Sequence, residues 1–239
     1  MSEVFLSVVV PCRDQEDHIE AVLRSYAAPL EKTGRSFELV VVPNACRDRT
    51  PEIVRALAAG DRRIRIAENP AGGWGLSVLT GLAAARGSVL CYTNSARTDP
   101  AHVPALLGLY VANEPCLAKV SREQRSAPLR EVGSWLFNVE GRLLFGTHVA
   151  DVNGTPKILS RAAYEKLGLF SEGDLLDLEL VVKARRLGLP IVELPVQGFR
   201  RHGGRSRTNL RSAWRMYAGA LRLKKALSRF PEGDARVVA

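Results

Sequence analysis

From Val4 to Val10 every residue except Ser7 is apolar. A run this apolar predicts a strand covered on both faces, because a half-exposed strand would alternate. Pro11 ends it. Ile19, Val22, Leu23 and Tyr26 then recur at helical spacing and predict an amphipathic helix against the sheet. Gly34 breaks the chain, and Phe37 to Val42 repeats the first strand's pattern. Thr50-Pro51-Glu52 opens a second helix and Gly60 closes it, while Arg63 to Ala67 alternates as a third strand. Ala71-Gly72-Gly73-Trp74-Gly75 leads into a helix of small residues ending near Gly87. Val89 to Tyr92 is a fourth strand that runs into the polar loop Thr93–Thr98, and Asp99 and Pro100 are placed as N-cap and first turn of the next helix. Strands alternating with helices predict an α/β fold, a Rossmann-like, mostly parallel sheet with helices on both faces.

The second half is less regular. Leu129, Val132, Leu136, Val139 and Leu143 form one helical face, and Val152-Asn153-Gly154-Thr155 is a turn. Ser160 caps a short helix that Gly168 closes. Asp174 to Leu187 reads as a helix burying Leu176, Leu180, Ala184 and Leu187, followed by a short strand from Ile191 to Leu194. Thr208 to Phe230 reads as a basic helix. Residues 1–206 are expected to form a single domain, with 207–239 a basic amphipathic helix and tail.

Charge and cysteine content narrow the functional classes. No apolar run approaches the roughly 18 residues of a membrane span, and the N-terminus lacks the basic start of a secretory signal. Cys12, Cys46, Cys91 and Cys116 show neither CxxC nor metal-ligand spacing, so a cytoplasmic location with reduced thiols is expected. The formal charge is +9, and no acid lies between Glu193 and Glu232, a stretch rich in arginine and lysine. Such a tail suits a polyanion: nucleic acid, an anionic membrane surface or a phosphorylated ligand. No nucleic-acid-reading motif accompanies it, which ranks nucleic acid last.

Four stretches in order, SVVVPCRDQEDHIEAVL, VVVPNACRDRTPEIV, AENPAGGWGLSVLTGLAAARGSVL and DVNGTPKILSR with DLELVVKARRLGLPIVELPV and RRHGGRS, resemble the family 2 glycosyltransferases, in particular their dolichol-phosphate-mannose-synthase-like branch. The resemblance runs from about Ser7 to Ser206. It implies a GT-A fold, a nucleotide-sugar donor and inverting transfer to a polyprenyl-phosphate or small-molecule acceptor. It also implies that Pro11, Arg13, Asp14, Asn44, Asp48, Gly73, Trp74, Thr93, Asn94, Ser95 and Arg97 lie on the nucleotide and phosphates.

The chain departs from the family pattern at the donor end. Thr93, Asn94 and Ser95 stand where the family has acids that hold a divalent metal, Mg or Mn. Hydroxyls and an amide are poor ligands for a hard cation, so no metal ligand is assigned. Arg97 follows two residues later, and a guanidinium grips a diphosphate bidentately; it is read either as the metal's replacement or as a surface ion-pair partner. Asn44 replaces an acid and Arg13 an aromatic residue, yet an amide and a flat guanidinium still suit a nucleoside base. Trp74 stands where a lysine is usual, and is read as a donor contact or as packing.

On the acceptor side, counting back from Gly188 along its helix gives Asp177 as the base implied by the resemblance, with Glu179 a second acid and Asp151 another candidate. Residues two apart on a helix point about 200° apart, so Asp177 and Glu179 do not share a site. Lys157, Arg201, His202, Arg205 and Ser206 are assigned to the acceptor or its phosphate. Leu210, Trp214, Tyr217 and Leu221 form an apolar stripe flanked by Arg211, Arg215, Arg222, Lys224 and Lys225, which suits a membrane interface at the inner face, the sheet, or a second copy of the chain. The rival reading is a non-catalytic binding or scaffold module that keeps the fold.

Overall fold

The computed structural model describes residues 4–96, 98–122, 139–197 and 210–231. Strands β1 (Leu6–Cys12), β2 (Phe37–Pro43), β3 (Ile64–Ile66), β4 (Val89–Tyr92), β5 (Leu117–Arg122), β6 (Lys157–Ser160) and β7 (Ile191–Val196) form one sheet in the order β3-β2-β1-β4-β6-β5-β7. Only β6 runs against its neighbours, antiparallel to β4 and β5. All seven residues of β1 are buried, Ser7 included, as its largely apolar run predicts for a strand covered on both sides.

Helices α1 (Ile19–Glu31), α2 (Thr50–Gly60) and α4 (His102–Ala112) cover one face, meeting Val8, Val10, Val41 and Cys91. Helices α3 (Trp74–Ala84), α5 (Arg161–Leu167), α6 (Leu176–Arg186) and α7 (Leu210–Leu227) cover the other, where Val9, Val40, Val42, Leu90 and Tyr92 point. Successive strand residues alternate between the two cores, which is the period-two rule in a three-layer fold. The fold is the α/β, mostly parallel sheet expected.

Local signals hold in α5. The Ser160 hydroxyl accepts from the Ala163 amide at 3.0 Å, and Gly168 closes the helix at φ 52°. Others are corrected. Asp99 lies upstream of α4, whose cap is Ala101; its carboxylate accepts from the Ala101 amide at 2.9 Å. Residues 139–145 are helical, but Leu143 is 79% exposed rather than inward, and Leu129, Val132 and Leu136 lie outside the described residues.

Of the expected stripe on α7, only Leu221 has a described side chain. The helix buries Ala220, Leu223 and Leu227 in the core shared with α3 and α6, while Leu221 is 60% exposed. Gly219 allows this seating, since a Cβ there would stand 2.6 Å from Leu175 Cδ1. The side chains of Leu210, Trp214 and Tyr217 lie outside the described residues. No helix among the described residues is long and apolar enough to cross a membrane.

Candidate active site

The chain leaves β1 towards β2 and β3 on one side, while β4 lies on the other, so the loops after β1 and β4 diverge at the carboxyl edge of the sheet. In an open α/β sheet this switch point is where ligands bind. Gln15 bridges the two loops: its amide nitrogen donates to the Ser95 hydroxyl at 2.9 Å, and that hydroxyl donates to the Pro11 carbonyl at 2.8 Å. Asn94 turns back on its own loop, accepting from the Ala96 amide at 3.0 Å. Thr93 is fully buried, with its hydroxyl facing that of Tyr26. The side-chain oxygens where the family pattern has acids are therefore neutral, those of Thr93 and Ser95 are buried, and the Ser95 hydroxyl is already engaged twice. They do not fit a hard divalent cation, which wants several charged or carbonyl oxygens around it.

On the β2 side, Asp14 and Ala45 occupy left-handed backbone, at φ 50° and 46°, where their two loops meet. Asp14 accepts from the Arg47 amide at 2.8 Å. Asp48 accepts from the Glu16 amide (2.9 Å), the Thr50 amide (3.0 Å) and the Thr50 hydroxyl (2.6 Å). Burial alone would raise the Asp48 pKa, but these donors outweigh it and hold the carboxyl below its ordinary range. Asp48 is thus a knot joining the loop after β1 to the start of α2. Asp14, Cys46 and Asp48 bring ligand-type atoms within 4.8 Å of one another, the one such group among the described residues; the donors around Asp48 already account for its oxygens. Asn44 pairs its backbone with Asn69. The Asn44 amide and the Arg13 guanidinium converge on Gly72, where an added Cβ would lie 3.6 Å from Asn44 Oδ1 and 3.8 Å from Arg13 Nη1.

Across the sheet, Asp177 sits at the start of α6 and is 4% exposed. The Tyr92 hydroxyl donates to its Oδ1 at 2.7 Å, the Lys157 ammonium pairs with the same oxygen, and the Trp74 indole N–H donates to Oδ2 at 3.1 Å. Tyr92 and Lys157 are register partners on β4 and β6. Burial pushes the Lys157 pKa down and neighbouring Lys119 adds to this, against the opposing pull of Asp177. Burial and the Asp177 charge push the Tyr92 hydroxyl well up, so it remains a donor. Lys157 is therefore not an open phosphate contact but a buried partner of Asp177. The same rung of the sheet continues through Lys119 to Glu193, paired at 2.7 Å. Asp151 is buried and bound by the Arg122 guanidinium at 2.7 and 3.2 Å.

Glu179 requires a correction. Its carboxylate is fully buried and accepts from the Phe170 amide (3.0 Å) and the Ser171 amide (2.7 Å), while Lys183 pairs with it at 2.7 Å. It is a strut for the loop before α6, on the far side of the helix from Asp177, as the angle between them requires. Gly73 is also placed apart from its expected role. The Gly75 and Leu76 amides, at the N-terminus of α3, donate to the Gly173 and Glu172 carbonyls at 3.2 and 2.7 Å. A Cβ on Gly73 would stand 2.9 Å from the Glu172 carbonyl oxygen, and one on Gly75 only 2.1 Å from that of Ser171. The glycines thus serve the close approach of two backbones, and the Gly75 and Leu76 amides face a loop.

Arg97, Arg201, His202, Arg205 and Ser206 lie outside the described residues. Gln15, Tyr92 and Arg122 had not been singled out. Tyr92 carried a usable signal, a hydroxyl ending a buried strand at the sheet's ligand edge; Gln15 and Arg122 carried none.

The pattern that defines the Glycosyl transferase family 2 matches residues 7–168. The chain is 33% identical over 204 residues to "Glycosyltransferase AglD" of Haloferax volcanii, covering 81% of this chain and 33% of that protein. It is 24% identical over 200 residues to "Undecaprenyl-phosphate 4-deoxy-4-formamido-L-arabinose transferase" of Pseudomonas aeruginosa, covering 82% of this chain and 55% of that protein. The chain thus spans between a third and just over half of the length of these curated relatives. Among solved structures it resembles glucosyl-3-phosphoglycerate synthase from Mycobacterium tuberculosis in complex with Mn2+, UDP and glucosyl-3-phosphoglycerate. That likeness has a TM-score of 0.69 at 26% identity and covers 95% of this chain and 80% of the other.

Proposed function

Because the chain belongs to glycosyltransferase family 2, we propose that it transfers a sugar, with inversion, from a nucleoside-diphosphate donor to an acceptor, without a metal held by acids at the end of β4. The observation that carries the metal-free part is the inward commitment of Ser95 to Gln15 and Pro11 beside the buried Thr93. A leaving diphosphate still needs positive charge against it. We assign that role to Arg97, which follows Ser95 by two residues in sequence. Arg13 and Asn44, gathered at Gly72, are the base or ribose contacts.

On the acceptor side, Asp177 faces the transfer and Asp151 lies nearby in sequence to β6. A hydroxyl acceptor must lose a proton to a carboxylate, whereas a phosphate arrives already ionised. Three donors leave Asp177 one open lone pair, a single positioning contact, which suits a phosphate such as a polyprenyl phosphate. A relative named for undecaprenyl phosphate supports the same class. Leu221 and the exposed basic residues of α7 would then hold the protein at an anionic membrane, at its inner face. The second reading, a binding module without turnover, is favoured by the docking of loop 171–173 on the α3 amides.

The test is transfer from UDP-glucose, GDP-mannose and their CDP counterparts to undecaprenyl phosphate, with undecaprenol as control. Product with the phosphate and none with the alcohol supports this account. Product only with a hydroxyl acceptor overturns the acceptor class, and nucleotide binding without transfer to either selects the binding module.

A further inference from the structure

We propose that Trp74 is a positioning residue that aims Asp177 and couples it to the donor-side glycine segment. The inference rests on the reading of Asp177 as the acid that faces the acceptor. A carboxylate has about four lone-pair sites. Two on Oδ1 are taken by Tyr92 and Lys157, and one on Oδ2 by the Trp74 indole. One acceptor position remains, and it is on the oxygen that Trp74 holds. The direction of that last lone pair is therefore set by the indole N–H.

Tyr92 and Lys157 rise from paired strands in the sheet. Trp74 comes from elsewhere: it opens α3, directly after Gly72 and Gly73, and is 103 residues away from Asp177. Its backbone is clamped on both sides. Gly73 and Gly75 touch the Glu172 and Ser171 carbonyls too closely for any Cβ, and Glu179 fixes the loop bearing those carbonyls. The start of α3, from which the indole projects, is thus tied to loop 171–173, so a displacement that a nucleoside diphosphate causes in the glycine segment is carried by Trp74 towards Oδ2 of Asp177. Packing alone would be met by any ring of similar size; only the N–H addresses Asp177.

Trp74 reports on itself. In a protein carrying Trp135→Phe and Trp214→Phe, its emission is followed with and without UDP, GDP and CDP, and in the same background with Asp177→Asn. Tyr92 and Lys157 hold the amide oxygen of that variant on their side, which turns its NH2 against the indole N–H. The unliganded Asp177→Asn protein is expected to show shifted Trp74 emission. The nucleotide that binds is expected to shift the parent's emission, with that response lost in Asp177→Asn while calorimetric affinity stays within about twofold. Trp74→Phe is expected to lower turnover about tenfold or more at unchanged donor KM, and Trp74→His, which retains a ring N–H, to recover most of it. Unshifted emission in unliganded Asp177→Asn, or a nucleotide response surviving that substitution, overturns the proposal. So does a Trp74→Phe protein with full turnover. Absence of any nucleotide binding would instead sink the transferase reading, and the unliganded comparison still decides the contact.

Discussion

Replacing Glu179 by glutamine separates a structural acid from a catalytic one. Both oxygens of Glu179 are in use, on the Phe170 and Ser171 amides and on the Lys183 ammonium. The isosteric amide keeps one oxygen and presents an NH2 to donors whichever way it is turned. Hydrogen bonds to a charged group contribute about 1.5–3 kcal/mol each, and removing one member of a buried ion pair costs about 3–5 kcal/mol. Lys183 retains the Gly168 carbonyl at 2.6 Å and lies over the Phe170 and Phe230 rings, so its loss is partly offset. We expect a net loss of about 3 kcal/mol, equivalent to roughly 10 °C in Tm for a chain of this size. Urea unfolding at neutral pH measures it, and amide exchange at Phe170 and Ser171 should rise with it. Stability within about 0.5 kcal/mol of the parent, together with abolished turnover, would refute the strut and restore a chemical role.

Gly75→Ala should destabilise by about 2–3 kcal/mol, because its Cβ meets the backbone of loop 171–173. Gly108→Ala in α4, with nothing within 4 Å, should stabilise by about 0.5–1 kcal/mol; equal effects in urea titrations would contradict the close approach. Alkali should weaken the fold. Burial, with help from Glu114, pushes the Cys116 thiol up to about 11, and burial raises Cys91 and Tyr26 further. The unfolded chain releases these protons first, so stability is full below about pH 8.5 and falls as pH approaches 11. Cys116 alone accounts for roughly 3 kcal/mol of that loss, and urea midpoints at pH 8 and 10.5 under reducing conditions would show a flat profile if the reasoning is wrong. Arg222, Lys224 and Lys225 are exposed beside Leu221. Changing all three to alanine should weaken binding to phosphatidylglycerol vesicles about 100-fold, at about 1 kcal/mol per charge; unchanged flotation would remove the membrane from the account.

The first half of the fold was legible because β1, β2 and β4 are apolar but for Ser7 and Glu38, and the helices between them carry ordinary start and stop residues. Strands β5 and β6 were not, since each places a lysine where a buried strand should be apolar. Lys119 and Lys157 make sense there only with Glu193 and Asp177 beside them, and those pairings belong to the tertiary fold. Helix α6 buries nine residues in succession rather than one stripe, so sequence separated its two acids by angle but did not show that Glu179 is buried against a loop. The inward face of α7 combines Leu223 and Leu227 with Gly219 and Ala220, and the small residues let it approach Leu175. At the donor end the unusual residue types were visible in sequence, but not the inward turn of Ser95, which depends on Gln15 eighty residues earlier.

The central claim, donor binding without an acid-held metal, is tested most directly by calorimetric titration of UDP, GDP and CDP in manganese and again in EDTA. The account predicts that one nucleotide binds with affinity unchanged within about threefold by EDTA, and that Arg97→Ala weakens it. Binding that appears only with manganese would contradict the account and return a metal to the end of β4.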